Sequence, residues 1–64
     1  MLEEFIGKTV SVKVEEFVTQ PRGELIECND KFIKIKIVEK NTITYQIFSY
    51  RSITWITCVE PINK

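Results

Sequence analysis

The chain has no histidine, and its 64 residues include only two cysteines, two glycines, two prolines and one tryptophan. Each shortage closes off a class of chemistry. With no imidazole, and with Cys28 and Cys58 far apart in sequence, the four clustered ligands of an ordinary zinc site cannot be assembled. No metal and no cofactor are expected. The common catalytic constellations need a nucleophile with its base, or a glycine-rich phosphate loop, and neither is present. The chain therefore reads as non-enzymatic. Glu15 and Glu16 are adjacent carboxylates, but neighbours on an extended chain point to opposite faces and do not share a site. No apolar stretch approaches the roughly 20 residues of a membrane span, so no membrane partner is expected. The first eight residues, MLEEFIGK, carry two acids and no apolar run of a secretory signal. The expected location is the cytoplasm. The cysteines read either as buried reduced thiols that pack as small hydrophobes or as one disulfide, a choice spacing does not decide.

What is present is a balanced, strand-rich chain. Nine Lys and Arg offset nine Asp and Glu. A net charge of zero argues against a sequence-blind nucleic-acid binder, whose affinity rests on excess cations. The distribution is uneven: seven of the nine acids fall between Glu3 and Asp30, and four lysines fall between Lys31 and Lys40. An anionic partner would meet the second segment first. The length makes one domain, residues 1–64, whose core alone is marginal, so association with copies of itself is the expected stabiliser.

Leu2 to Ile6 suits one helical turn, with Glu3 and Glu4 at its positive end, Gly7 as its stop, and Leu2, Phe5 and Ile6 as an apolar cap. Thr9 to Val14 alternates, with Val10, Val12 and Val14 on one face and Ser11 and Lys13 on the other. Gln20-Pro21-Arg22-Gly23 reads as a turn before a second strand, Gly23 to Cys28, with Leu25 and Ile26 as its apolar pair. Asn29-Asp30-Lys31 is a tight polar bend. Phe32 to Val38 has the clearest period of two: Ile33, Ile35 and Ile37 face one way, Phe32, Lys34, Lys36 and Val38 the other. A turn at Glu39 to Thr42 leads to a fourth strand, where Ile43, Tyr45 and Ile47 alternate with Thr44 and Gln46. After a short break at Ser49 to Ser52, Ile53 to Val59 makes a fifth strand, ended by Pro61. On this strand Ile53, Trp55, Thr57 and Val59 should share one face, and Thr54, Ile56, Cys58 and Glu60 the other. Both faces are partly apolar, so either the sheet wraps around this strand or a neighbouring subunit covers it. The expected architecture is mainly β: a short N-terminal helical turn followed by a strongly bent five-stranded antiparallel sheet forming a small barrel.

Three stretches carry a family resemblance: Gly23-Glu24-Leu25 on the second strand, Asp30-Lys31-Phe32-Ile33 at the bend, and Phe48 to Ile56 with Ile53-x-x-Ile56 on the last strand. In these residues and in element order, from about Phe5 to Val59, the chain resembles the Sm-like fold of the Sm, LSm and Hfq proteins. It looks closest to short Sm-like proteins of spore-forming Gram-positive bacteria. The resemblance implies a homo-oligomeric ring in which the fourth strand of one subunit pairs with the fifth strand of the next, and RNA as a partner. It also shows departures. Ile33 stands where Sm proteins hold a base with Asn, Ser49-Tyr50 where they have Arg-Gly, and Tyr50-Arg51 where Hfq has Lys-His. Phe32 matches the place of an aromatic stacking residue.

The candidate nucleic-acid contacts are therefore Phe32, Lys34 and Lys36 on one strand face, and Tyr50 with Arg51 in the turn before the last strand, where an aromatic stacks a base and cations hold phosphate. The first set also reads as a solvated strand face, and the second as a Tyr closing one end of the sheet beside a surface Arg. The candidate subunit interface is Ile53, Trp55, Ile56 and Cys58. Against the RNA reading stands a protein-interaction or scaffold module that keeps the barrel and lacks the RNA contacts.

Overall fold

Alternating valines and isoleucines dominate the chain, and they build a sheet. The computed structural model describes residues 2–15, 18–60 and 62. A 3-10 turn at Leu2–Phe5 leads into strands β1 (Thr9–Val14), β2 (Arg22–Cys28), β3 (Phe32–Val38) and β4 (Ile43–Ser49), a second 3-10 turn (Tyr50–Ser52), and β5 (Ile53–Val59). All five strands belong to one antiparallel sheet in the order β4-β3-β2-β1-β5. β4 and β5 are its two ends, each paired on one side only, so the sheet is open: among the described residues no ladder closes it into the expected barrel.

One face of the sheet makes the core. Val10, Val12, Val14, Leu25, Ile33, Ile35 and Phe48 are buried, and Leu2, Phe5, Ile37, Ile53 and Ile56 pack against them. The alternation over Phe32 to Val38 is realised as read, with Ile33 and Ile35 fully buried. The N-terminal turn is tied on by backbone bonds: Gly7 N–H donates to Leu25 O (2.8 Å) and Leu25 N–H to Lys8 O (3.0 Å). Gly7 sits at φ +92°, a conformation that an L side chain rarely adopts, so the turn stops there. Leu2 and Phe5 cap the core, whereas Ile6 turns outward.

Three local readings are corrected by the structure. The turn expected at Gln20 to Gly23 lies earlier, because Arg22 and Gly23 already pair with Ser11 and Val10. Gly23 is required by crowding instead: a Cβ there would stand 2.6 Å from Lys36 O and 2.9 Å from Ile37 Cγ1. Leu25 and Ile26 are not a simple pair, since Ile26 is an extra residue between the Leu25–Ile35 and Glu27–Lys34 pairs. In β5, Lys13 pairs with Trp55 and Val14 with Ile53, which leaves Thr54 as the extra residue of a bulge. That offset moves Ile53 onto the face of Ile56 and Cys58. The strict alternation placing Ile53 with Trp55 therefore fails at one residue. The Glu15-Glu16 pair and the stop at Pro61 fall partly or wholly outside the described residues.

The β2–β3 bend is an Asx turn. Asn29 Oδ1 accepts from Lys31 N–H (2.7 Å) and Phe32 N–H (2.9 Å), and Asn29 N–H donates to Phe32 O (3.0 Å). Asn29→Ala removes the side-chain acceptor of both bonds. It should cost about 1 kcal/mol and lower the melting midpoint by about 4–8 °C. Asn29→Asp, which keeps the acceptor, should melt near the parent. Equal midpoints for Ala and Asp would show that the turn does not depend on this oxygen.

Candidate interaction surfaces

The outer face of β2, β3 and β4 is set by cross-strand register. Glu24 pairs with Lys36, and Lys36 with Tyr45; Glu27 pairs with Lys34, and Lys34 with Ile47; Val38 pairs with Ile43. Each lysine is thus flanked by an acid on β2 and an apolar residue on β4. Lys34 Nζ lies 3.4 Å from Glu27 Oε1. Phe32, Lys34 and Lys36 do share one face, as the sequence implied, but that face is electrically balanced.

β4 has an unusual exposure pattern for an edge strand. Ile43, Tyr45 and Ile47 are all more than half exposed, while Phe48 is its buried residue. Edge strands of monomers are ordinarily blunted by charge, proline or cover, and here the outer row is apolar. On the inner side, Gln46 Oε1 is buried and has no hydrogen-bond donor among the described residues. Buried carbonyl oxygens are rarely left so. At the other end of the sheet, Trp55 is 51% exposed on the outer face of β5. Ile53, Ile56 and Cys58, candidate interface residues from the sequence, are half-buried and pack on the chain's own core. Both cysteines are free thiols.

The second candidate set gathers at one end of the sheet. Tyr50 N–H donates to Lys31 O (3.2 Å), joining the turn after β4 to the β2–β3 bend. Phe32 pairs with Ser49 across β3 and β4, so Phe32 lies beside the Tyr50–Arg51 turn, while Lys34 and Lys36 run away from it along β3. Ser49 Oγ caps the turn by accepting from Arg51 N–H (3.3 Å), and Arg51 is exposed. Ile33, at the place where the resemblance puts a base-holding Asn, is in the core and touches no solvent.

A cleft of about 670 Å³ opens between the N-terminal turn and the bend. Leu2, Cys28 and Tyr50 form its apolar part, and Glu3, Glu4 and Asp30 its acids. The Tyr50 hydroxyl is held above its ordinary pKa, first by burial and then by the electrostatic effect of Cys28, Glu3 and Asp30 beside it. The Glu3 carboxyl lies below the usual range, first through hydrogen bonding. Sequence reading missed this cleft because its residues come from three separate stretches that only the fold joins. Among the described residues no three His, Cys, Asp or Glu side chains are arranged to hold a metal ion, and no helix is long and apolar enough to cross a membrane.

Fold and surfaces together define a class: a small antiparallel β domain whose sheet, among the described residues, has two open edges. Comparison with protein-family models, with curated proteins and with solved structures finds no match for this chain.

Proposed function

We propose that this chain is a non-enzymatic, Sm-like binding module that assembles with copies of itself, β4 of one subunit against β5 of the next, into a ring. The observation that carries the reading is the pair of unpaired edges at opposite ends of one sheet, with Ile43, Tyr45 and Ile47 exposed on one and Trp55 on the other. Each edge offers free backbone donors and acceptors, and a strand added to either satisfies them. A contact that joins unlike edges is heterologous and closes into a ring when the rotation between subunits permits. The barrel of the Sm-like fold would then be completed across subunits. The acceptor-only Gln46 Oε1 near the β4 edge fits a place where a further chain arrives. Two free thiols suit a reducing compartment such as the cytoplasm.

For the partner class, charge favours protein over RNA. Lys34 is engaged by Glu27, Lys36 stands opposite Glu24, and Tyr50 lies among acids. Phosphate binding needs uncompensated cations, and of the proposed RNA set Arg51 is the exposed one beside an aromatic. The test is mass in solution by light scattering, with and without a short uridine- or adenine-rich RNA. The expected result is a closed oligomer whose mass does not change with RNA. A monomer at all concentrations would overturn the assembly. A ring that takes up RNA would return the partner to RNA, with Phe32, Lys34, Lys36, Tyr50 and Arg51 as its contacts.

A further inference from the structure

The cleft between the N-terminal turn and the β2–β3 bend has walls that combine an apolar body, an aromatic ring and acidic side chains. Leu2, Cys28 and Tyr50 are half-buried and pack against the core, so this part of the cleft is fixed by the fold. Glu4 and Asp30 are exposed acids on its lining, and no Lys or Arg belongs to that lining. Position as well as composition is set by structure. The Asx turn at Asn29 fixes the bend that carries Asp30, and the Tyr50–Lys31 backbone bond fixes the ring beside it.

We propose that this cleft receives an arginine side chain from a basic segment of a partner protein, with the alkyl stem against Leu2 and Cys28, the guanidinium against the Tyr50 ring, and its charge met by Glu4 and Asp30. The chemistry follows from the walls. An arginine has an apolar stem and a weakly hydrated planar head that stacks on aromatic faces and binds carboxylates. Cation and ring attract more strongly where water is partly excluded. Glu3 is already engaged, so the recognition rests on Glu4 and Asp30. The same acids repel a phosphate, which separates this ligand from a nucleotide. The inference deepens the protein-partner reading and does not depend on assembly.

The test is an amide NMR titration of the whole chain with the capped tripeptide Gly-Arg-Gly, and with the same peptide carrying citrulline, which keeps the shape of arginine and loses its charge. Shifts should concentrate at residues 2–4, 28–30 and 50. The citrulline peptide should bind about tenfold more weakly or worse, and added salt should weaken the arginine peptide alone. Glu4→Gln with Asp30→Asn, both at exposed positions, should keep the dispersed spectrum of a folded chain and weaken binding by about tenfold. Citrulline binding as well as arginine, shifts elsewhere, or no shifts at all would each overturn the proposal. So would uridine monophosphate moving the same residues. Light scattering on the same sample keeps the two readings apart: a monomer that binds arginine in the cleft sinks the ring alone, and a ring with a silent cleft sinks this inference alone.

Discussion

Gly23→Val should leave the chain largely unfolded at physiological temperature, and Gly23→Ala should already lower the melting midpoint by about 8–16 °C. The reason is local and severe. The first side-chain carbon would stand 2.6 Å from the Lys36 carbonyl oxygen and 2.9 Å from Ile37 Cγ1. The nearer atom is backbone, so no rotamer change relieves it. Nor can β2 retreat, because Gly23 is paired with Val10 while the adjacent Glu24 is paired with Lys36. Overpacking of this kind costs about 1–3 kcal/mol, and we place Ala near about 2 kcal/mol, with Val adding two methyl groups to the same gap. A core of this size supplies no more than about 3–5 kcal/mol, so Val removes most of it. Far-UV circular dichroism melts at matched concentration read the effect directly. A Gly23→Ala protein that melts within a degree or two of the parent would mean that β2 and β3 do not approach this closely.

The second large effect concerns the edges. Tyr45→Lys with Ile47→Lys on β4, and separately Trp55→Asp on β5, should each convert the proposed ring to monomer while keeping the sheet, because all three side chains point to solvent within one subunit. Charge placed on an edge strand is the ordinary device against strand addition. The decisive sample is a mixture. Each variant keeps one intact edge, so the two together should form dimers that neither forms alone, as a heterologous contact requires. Trp55 emission should shift to the blue as the parent assembles, since its ring leaves water. If the variants and the mixture all show the parent's mass, the contact lies elsewhere. If the parent itself is monomeric, the edges are simply tolerated.

Much of this fold was legible in the residues, and its failures have definite causes. The strand over Phe32 to Val38 could be read because β-branched residues alternate with lysines through its whole length, and the structure keeps those bounds and faces. The faces of β4 could have been read as well. Glu39 and Thr42 bond to each other around Lys40-Asn41, which pairs Val38 with Ile43 and so puts Tyr45 and Ile47 on the lysine side. That chain of register needs only the hairpin turn and the period of two. What period alone cannot reveal is a bulge. The extra residues at Ile26 and Thr54 each change the parity of a strand without leaving a glycine or proline to mark them. Gly23 was read as the end of the Gln20-Pro21-Arg22-Gly23 turn as well as the start of the second strand, because proline and glycine together mark turns, whereas its role is set by its close approach to Lys36 and Ile37 of strand β3. The acid-lined cleft was invisible for a related reason: Glu4, Asp30 and Tyr50 acquire a joint meaning only when the bend and the two turns meet.

The offset at Thr54 separates two kinds of selection within one short strand. Ile53, Ile56 and Cys58 answer to the interior of the subunit, and Trp55 answers only to what lies outside it. On β4 the division is the same, with Phe48 inside and Tyr45 outside. In the proposed ring, mutational drift at Trp55 and Tyr45 would alter which strands associate, and how many subunits a closed assembly holds, while the folding of each subunit stays under separate control. If the proposed ring forms, duplicated copies of such a gene would need only a change or two at these outward positions to stop co-assembling.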